Sequence, residues 1–155
     1  MAYSTVAVAN AFIQRAIDGR IVDLTPMKLQ KLMFYVQSWS LKIYDKPVID
    51  DFFSKWQYGP VIPSLYHDVK MYGANSIDKK ITSVIASNGT TLVVAPIVPD
   101  SDVTTNQLID KIVEVYGPLR GAQLSYLTHE PKTAWSLTAV NGAVMSNELL
   151  KKCIE

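Results

Sequence analysis

The chain has 155 residues, of which 48% are hydrophobic and 19% charged, and its net charge is +1. That length and composition describe one folded domain with a sizeable core, expected to span 1–155, and argue against disorder. No apolar run approaches the ~20 residues of a membrane span, and near-neutral charge gives no global attraction to nucleic acid or anionic lipid.

The N-terminus lacks a basic region ahead of an apolar core, so it does not read as a secretory signal. The single cysteine, Cys153, excludes an intramolecular disulfide and fits a reducing cytoplasm. A protein partner or a small ligand is the expectation left standing.

Residues 4–18 read as an amphipathic helix. Ser4 or Thr5 caps it, Ala9, Phe12, Ile13, Ala16 and Ile17 share one face, and Gly19 stops it. A second helix starts at the N-cap Thr25, with Pro26 at the first helical position, and runs to about Tyr44. Leu29, Leu32, Met33, Val36 and Ile43 form one stripe on it, and Gln30, Phe34, Gln37 and Leu41 form a second. Lys28, Lys31, Ser38 and Lys42, with Tyr35 among them, make a polar line. A helix apolar over most of its circumference is a central one, so the two glutamines need buried hydrogen-bond partners.

After a connection containing Pro47, residues 52–60 read as a short extended or turn element punctuated by Gly59-Pro60. Pro63 opens a helix carrying Ile62, Leu65, Tyr66, Val69 and Tyr72 on one face, and Gly73 ends it. Ile81 to Ala86 and Thr90 to Ala95 flank Asn88-Gly89, the preferred pair for a tight antiparallel hairpin. Pro96 to Thr105 reads as a surface loop. Thr104 with Gln107 forms a capping box for a helix through Tyr116. Further helices are expected over Leu119 to Leu127, around Ala134 to Ala139, and from Asn147 to Ile154 behind the cap Ser146. The fold class is therefore mainly α (α+β), a compact helical domain with a central helix near 25–44 and a small β-hairpin near 81–95.

Chemistry-bearing patterns are sparse. His67, His129 and Cys153 lie too far apart in sequence for a zinc site. No GxGxxG, Walker-type GxxxxGKS/T or GxSxG occurs. His129 near Ser125 could act as a general base. The plainer reading is a turn histidine that bonds its neighbours and holds the corner, because triads depend on geometry that one Ser and one His do not reveal. Asp50 and Asp51 are adjacent and point apart in extended chain. Cys153 reads as a small apolar filler. Trp56, Tyr58 and Tyr66 read as core or as an aromatic recognition surface, with core the plainer reading for Trp56. The lysine line reads as a solvated face or as a site for phosphate or an acidic partner. No catalytic residue, metal or cofactor is expected.

The stretch from Leu24 to Gly73 carries a resemblance. Thr25, Lys28-Leu29-Gln30-Lys31-Leu32, Tyr35, Gln37, Trp39, Trp56, Tyr58-Gly59-Pro60-Val61, Pro63, Leu65-Tyr66 and Tyr72-Gly73 are similar to the Panacea domain. This is the SocA-like antitoxin family, also labelled phage-associated GepA-like. Tyr116-Gly117, Leu124-Ser125, Thr128-His129, Trp135 and Met145-Ser146…Leu149-Leu150 resemble its later positions, with Ala134 where the family carries Pro. The resemblance covers almost the whole chain.

It implies an antitoxin of a bacterial, plasmid or phage toxin–antitoxin pair that neutralises a co-encoded protein toxin by direct binding. The implied alternatives are a proteolytic adaptor delivering the toxin to a AAA+ protease, or a DNA-binding autorepressor. The last needs an exposed basic helix, which near-neutral charge and the Pro26 and Tyr35 of the most basic helix disfavour. As scaffold the resemblance implies Lys28, Gln30, Lys31, Tyr35, Gln37, Trp56, Tyr58, Gly59, Pro60, Tyr66, His129 and Trp135. Tyr58-Gly59-Pro60 would form a rigid corner, Trp56 and Tyr66 would pack around it, and Gln30 and Gln37 would bond its backbone. Toxin contacts are then expected on the line Lys28, Lys31, Tyr35 and Lys42, or on the hairpin and the loop after it.

Overall fold

The computed structural model describes residues 2–155. Helix α1 (Thr5–Ile17) begins where Ser4 Oγ accepts the Ala7 N–H at 3.2 Å. Helix α2 (Pro26–Tyr44) begins where Thr25 Oγ1 accepts the Lys28 N–H at 3.2 Å, and it ends on Asp45 in the left-handed region. Each such cap satisfies a free helix N–H and contributes ~1 kcal/mol.

The chain then makes strands β1 (Phe53–Trp56) and β2 (Gly59–Val61), helix α3 (Pro63–Val69) and a 3-10 turn at Lys70–Tyr72. Strands β3 (Ser83–Ser87) and β4 (Thr90–Val94) follow, then helices α4 (Val103–Tyr116), α5 (Gly121–Thr128) and α6 (Ala134–Leu137). Strand β5 (Val144–Met145) and helix α7 (Asn147–Cys153) complete the order. The architecture is mainly helical with small antiparallel sheets.

Helix α2 is the axis. It packs against α1, α3, α4, α5, α7 and β2, and Leu29, Leu32, Met33 and Val36 are fully buried. Its two glutamines, two helical turns apart, stand in for backbone partners. Gln37 Oε1 accepts the Val48 and Ile49 N–H groups at 2.9 and 3.0 Å, while Nε2 donates to Ile49 O. Gln30 treats Ile62 the same way, accepting its N–H at 2.9 Å and donating to its carbonyl at 3.1 Å. Only Gln30 therefore serves the region of the expected corner; Gln37 holds the preceding connection.

The sheet order is β2-β1-β5, with Phe53 paired to Met145 and Trp56 to Gly59. Strand β5, two residues long, is too short to carry a periodic signal. Two other expectations are corrected. Helix α4 starts at Val103 because Asp102, not Thr104, caps it through the Thr105 N–H. Ile43, expected in the inner stripe, is exposed in the last turn of α2.

The expected polar line on α2 is also corrected. Lys28, Lys31, Tyr35 and Ser38 are buried, and Lys42 alone faces solvent. Lys28 Nζ donates to the carbonyls of Val22 and Gly117 at 2.8 and 2.6 Å. Its ammonium is held by one carbonyl just before the helix and one 89 residues further on, which a helical wheel does not display.

Candidate functional site: a clamped aromatic turn

The segment from Trp56 to Ile62 crosses from β1 to α3, and its carbonyls are seized one after another. Trp135 Nε1 donates to Trp56 O at 2.8 Å. His129 Nε2 lies 2.7 Å from Gln57 O, and Ser125 Oγ donates to Tyr58 O at 2.5 Å. Lys31 Nζ reaches Pro60 O at 3.4 Å, and Gln30 takes both polar groups of Ile62. The donors come from α2, α5, α6 and the loop between the last two, so four parts of the chain close on one turn.

Gly59 is required here on two grounds. Its φ of 124° is a left-handed value that favours glycine. A Cβ at this position would lie 2.5 Å from Lys31 Cε and 2.9 Å from Thr128 Oγ1. The turn is thus pressed against a buried lysine with no room for a side chain.

His129 is oriented from both ends. Its Nδ1 lies 2.6 Å from Ser125 O while Nε2 faces Gln57 O. Carbonyls only accept, so a ring N–H on either nitrogen donates to the carbonyl that nitrogen faces. The ring lies 3.8 Å from the Trp135 ring, whose other neighbour is Lys55 Nζ at 4.1 Å from the centroid. No Ser125–His129 pair results: Ser125 Oγ is committed to Tyr58 O, and the two imidazole nitrogens face the carbonyls of Ser125 and Gln57.

Lys31 is the most buried charge of the site, 1% exposed and without a salt bridge among the described residues. Desolvation pushes its pKa down to about 8. One turn along α2, Tyr35 stacks on Tyr116 at 4.0 Å, and Trp39 Nε1 donates to Tyr116 Oη at 2.9 Å. Burial first, then the neighbouring Tyr116 and Glu130, pushes the Tyr35 phenol up.

What the clamp presents outward is aromatic. Tyr58 is 62% exposed and Tyr66 41%, and Trp56, half-buried, meets Tyr66 at 5.0 Å between ring centroids. The expectation of Trp56 as a core residue is therefore corrected: its indole lies at the rim, between the clamp and Tyr66. Gly59 and Pro60 are buried, as a corner needs.

Of the residues expected to touch a toxin, Lys28, Lys31 and Tyr35 lie inside the fold. Lys42 donates to Ile154 O at 2.6 Å. A buried side chain offers no contact surface, so that line does not form one. Sequence reasoning passed over Asn10, a buried amide on α1; the signal was a polar residue next to the apolar positions Ala9 and Phe12.

Elsewhere, an open cleft of about 1220 Å³ lies between the N-termini of α2 and α5 and the C-terminal part of α4. It is lined by residues of both charge signs, including Arg20, Asp110, Glu114 and Arg120. It does not reach the turn. No cluster of three or more His, Cys, Asp or Glu side chains suited to a metal ion occurs among the described residues. No helix of the described residues is long and apolar enough to cross a membrane.

The family model described as antitoxin SocA-like, Panacea domain, matches residues 29–136, a span that contains the turn and every side chain of the clamp. Antitoxin SocA of Caulobacter vibrioides (strain NA1000 / CB15N) is 25% identical over 133 residues, which cover 86% of this chain and 69% of that protein. No solved structure matches the chain.

Proposed function

This chain belongs to the antitoxin SocA-like, Panacea domain family, and from there we propose that it neutralises a co-encoded protein toxin by binding it directly through the clamped aromatic turn. We read residues 1–155 as one domain whose motif residues serve to hold that turn. The observation that carries the proposal is the immobilisation of Trp56–Ile62 from behind, with Tyr58 and Tyr66 left facing out. Binding hot spots are enriched in Tyr and Trp, and a surface already fixed in place loses little entropy when a partner arrives. The burial of Lys28 and Lys31 also leaves α2 without the exposed basic face that a DNA-recognition helix needs.

The test is co-expression with the protein encoded by the neighbouring gene, followed by co-purification. Wild-type chain restores growth and retains the toxin. The double substitution Tyr58→Ala, Tyr66→Ala leaves every clamp donor in place, so its thermal unfolding matches wild type while affinity falls about 30-fold or more, ~2 kcal/mol. Full retention of the toxin by a folded double variant removes the turn as the binding surface.

A further inference from the structure

The β3–β4 ribbon stands apart from the site and from the core. Both strands are exposed on both faces: Val84 (69%) pairs with Val93 (68%) on one side, and Ile85 (49%) with Leu92 (52%) on the other. A lone two-stranded ribbon is marginal in water; three or more strands are needed for independent stability.

Yet its base is held with care. Asn10, 1% exposed, donates to Ile81 O and Pro96 O, each at 2.9 Å, and accepts the Ile81 N–H at 2.7 Å. One buried amide thus clasps both legs of the ribbon.

The ribbon also lacks the protection that exposed strand edges carry. From Ile81 to Pro99 there is no charged residue, although Lys79 and Lys80 precede the segment and Asp100 follows it. Charges or prolines along an edge normally block pairing with another chain. A neutral edge admits a partner that is itself neutral there, and a copy of the same edge meets that condition without like-charge repulsion.

The register selects which copy faces which. The two-residue turn Asn88-Gly89, with φ of 50° and 75°, places Ser87 and Thr90 in a hydrogen-bonded pair. Alternation then turns the peptide groups of Ser83, Ile85 and Ser87 toward β4, and those of Val84 and Ala86 outward. The β3 sequence Ser-Val-Ile-Ala-Ser is nearly symmetric about Ile85. An antiparallel two-fold pairing centred there sets Ile85 opposite Ile85 of the copy, Val84 opposite Ala86, and Ser83 opposite Ser87. The outward-facing residues on the two edges are then the ones that must exchange hydrogen bonds. On β4 the equivalent two-fold would set Thr91 against Val93 and Thr90 against Val94, a poorer match of polar with apolar.

We propose that the chain forms a homodimer by pairing β3 antiparallel with β3 of a second copy, centred on Ile85. The product is a four-stranded sheet, β4-β3-β3-β4, in which Leu92, Ile85 and the same two residues of the copy form one continuous apolar row. Such an isologous contact uses the same patch on both partners and closes on itself.

The test is mass by light scattering across micromolar concentrations, with the chain free of other proteins. Wild type is expected near twice 17.2 kDa. Ile85→Lys and Ile85→Glu each bring like charges face to face and are expected to run as monomers. Because Ile85 is outside the core, circular dichroism of both matches wild type. Mixing the two variants is expected to restore the dimer, since lysine then meets glutamate across the axis. A monomeric wild type overturns the proposal, as does a dimer that survives both substitutions or a mixture that stays monomeric. If the ribbon gains hydrogen-exchange protection only when the neighbouring gene product is added, the occupant is that protein, and the proposal also fails.

Discussion

Lys31 gives the sharpest handle on the clamp. The residue is 1% exposed, its one backbone partner is Pro60 O at 3.4 Å, and burial lowers its pKa from 10.5 to about 8. Below pH ~8 the lysine is protonated in both folded and unfolded chains, and the full cost of burying the charge is present. Between ~8 and ~10.5 the unfolded chain holds more protons, so stability rises with pH, and above ~10.5 it levels off. The total rise is about 3 kcal/mol, at ~1.4 kcal/mol per pH unit over the interval between the two values. Replacing Lys31 by methionine keeps a long flexible stem, removes the titration and forfeits only a long hydrogen bond. The Lys31→Met variant should therefore be at least as stable as wild type near neutral pH. Its advantage should shrink steadily as pH climbs. Urea unfolding of both proteins at stepped pH measures the difference directly, and other titrating groups cancel in the subtraction. Parallel curves, or a wild type that weakens relative to the variant as pH rises, would refute the account of Lys31 as a buried charge without a counter-ion.

Two further substitutions probe the fold. Gly59→Ala should destabilise by ~2–4 kcal/mol, since the new Cβ meets Lys31 Cε and Thr128 Oγ1 at a left-handed φ. An unchanged melting temperature would show that the turn yields. Asn10→Ala should cost ~2–3 kcal/mol by stranding two carbonyls and an N–H. It should also speed hydrogen exchange over 81–96 more than in α2, and uniform exchange would assign Asn10 to general packing instead.

Where the fold could be read from the chain, the signals were local. Thr25-Pro26 marked the start of α2, and Asn88-Gly89 marked the turn between β3 and β4. Thr104 with Gln107 misled by two residues because Asp102, a competing cap, stood just upstream. The lysines of α2 were misread for a deeper reason. Helical periodicity places a side chain on a face, but whether that face is wet depends on chain arriving from elsewhere. For Lys28 that chain is Val22 and Gly117, and for Lys31 it is the turn at Pro60. Gln30, His129 and Trp135 carried a family signature, but the carbonyl each one faces was invisible, since the contacts span 32 to 79 positions. Exposure of Trp56 at the rim likewise follows from where α3 sets Tyr66.

The reach of the clamp has a consequence for how the protein is made. Residues 56–62 leave the ribosome long before Ser125, His129 and Trp135 do, and domains fold as those contacts become available. A nascent chain halted ahead of Ser125 has Gln30 and Lys31 but none of the later donors, so its Trp56–Tyr58 segment should remain loose, as protease sensitivity of arrested chains would reveal. The aromatic turn is then among the last features to set, and its final shape waits on the last quarter of the chain. If the proposed binding through this turn holds, neutralising capacity counts completed molecules rather than translation begun.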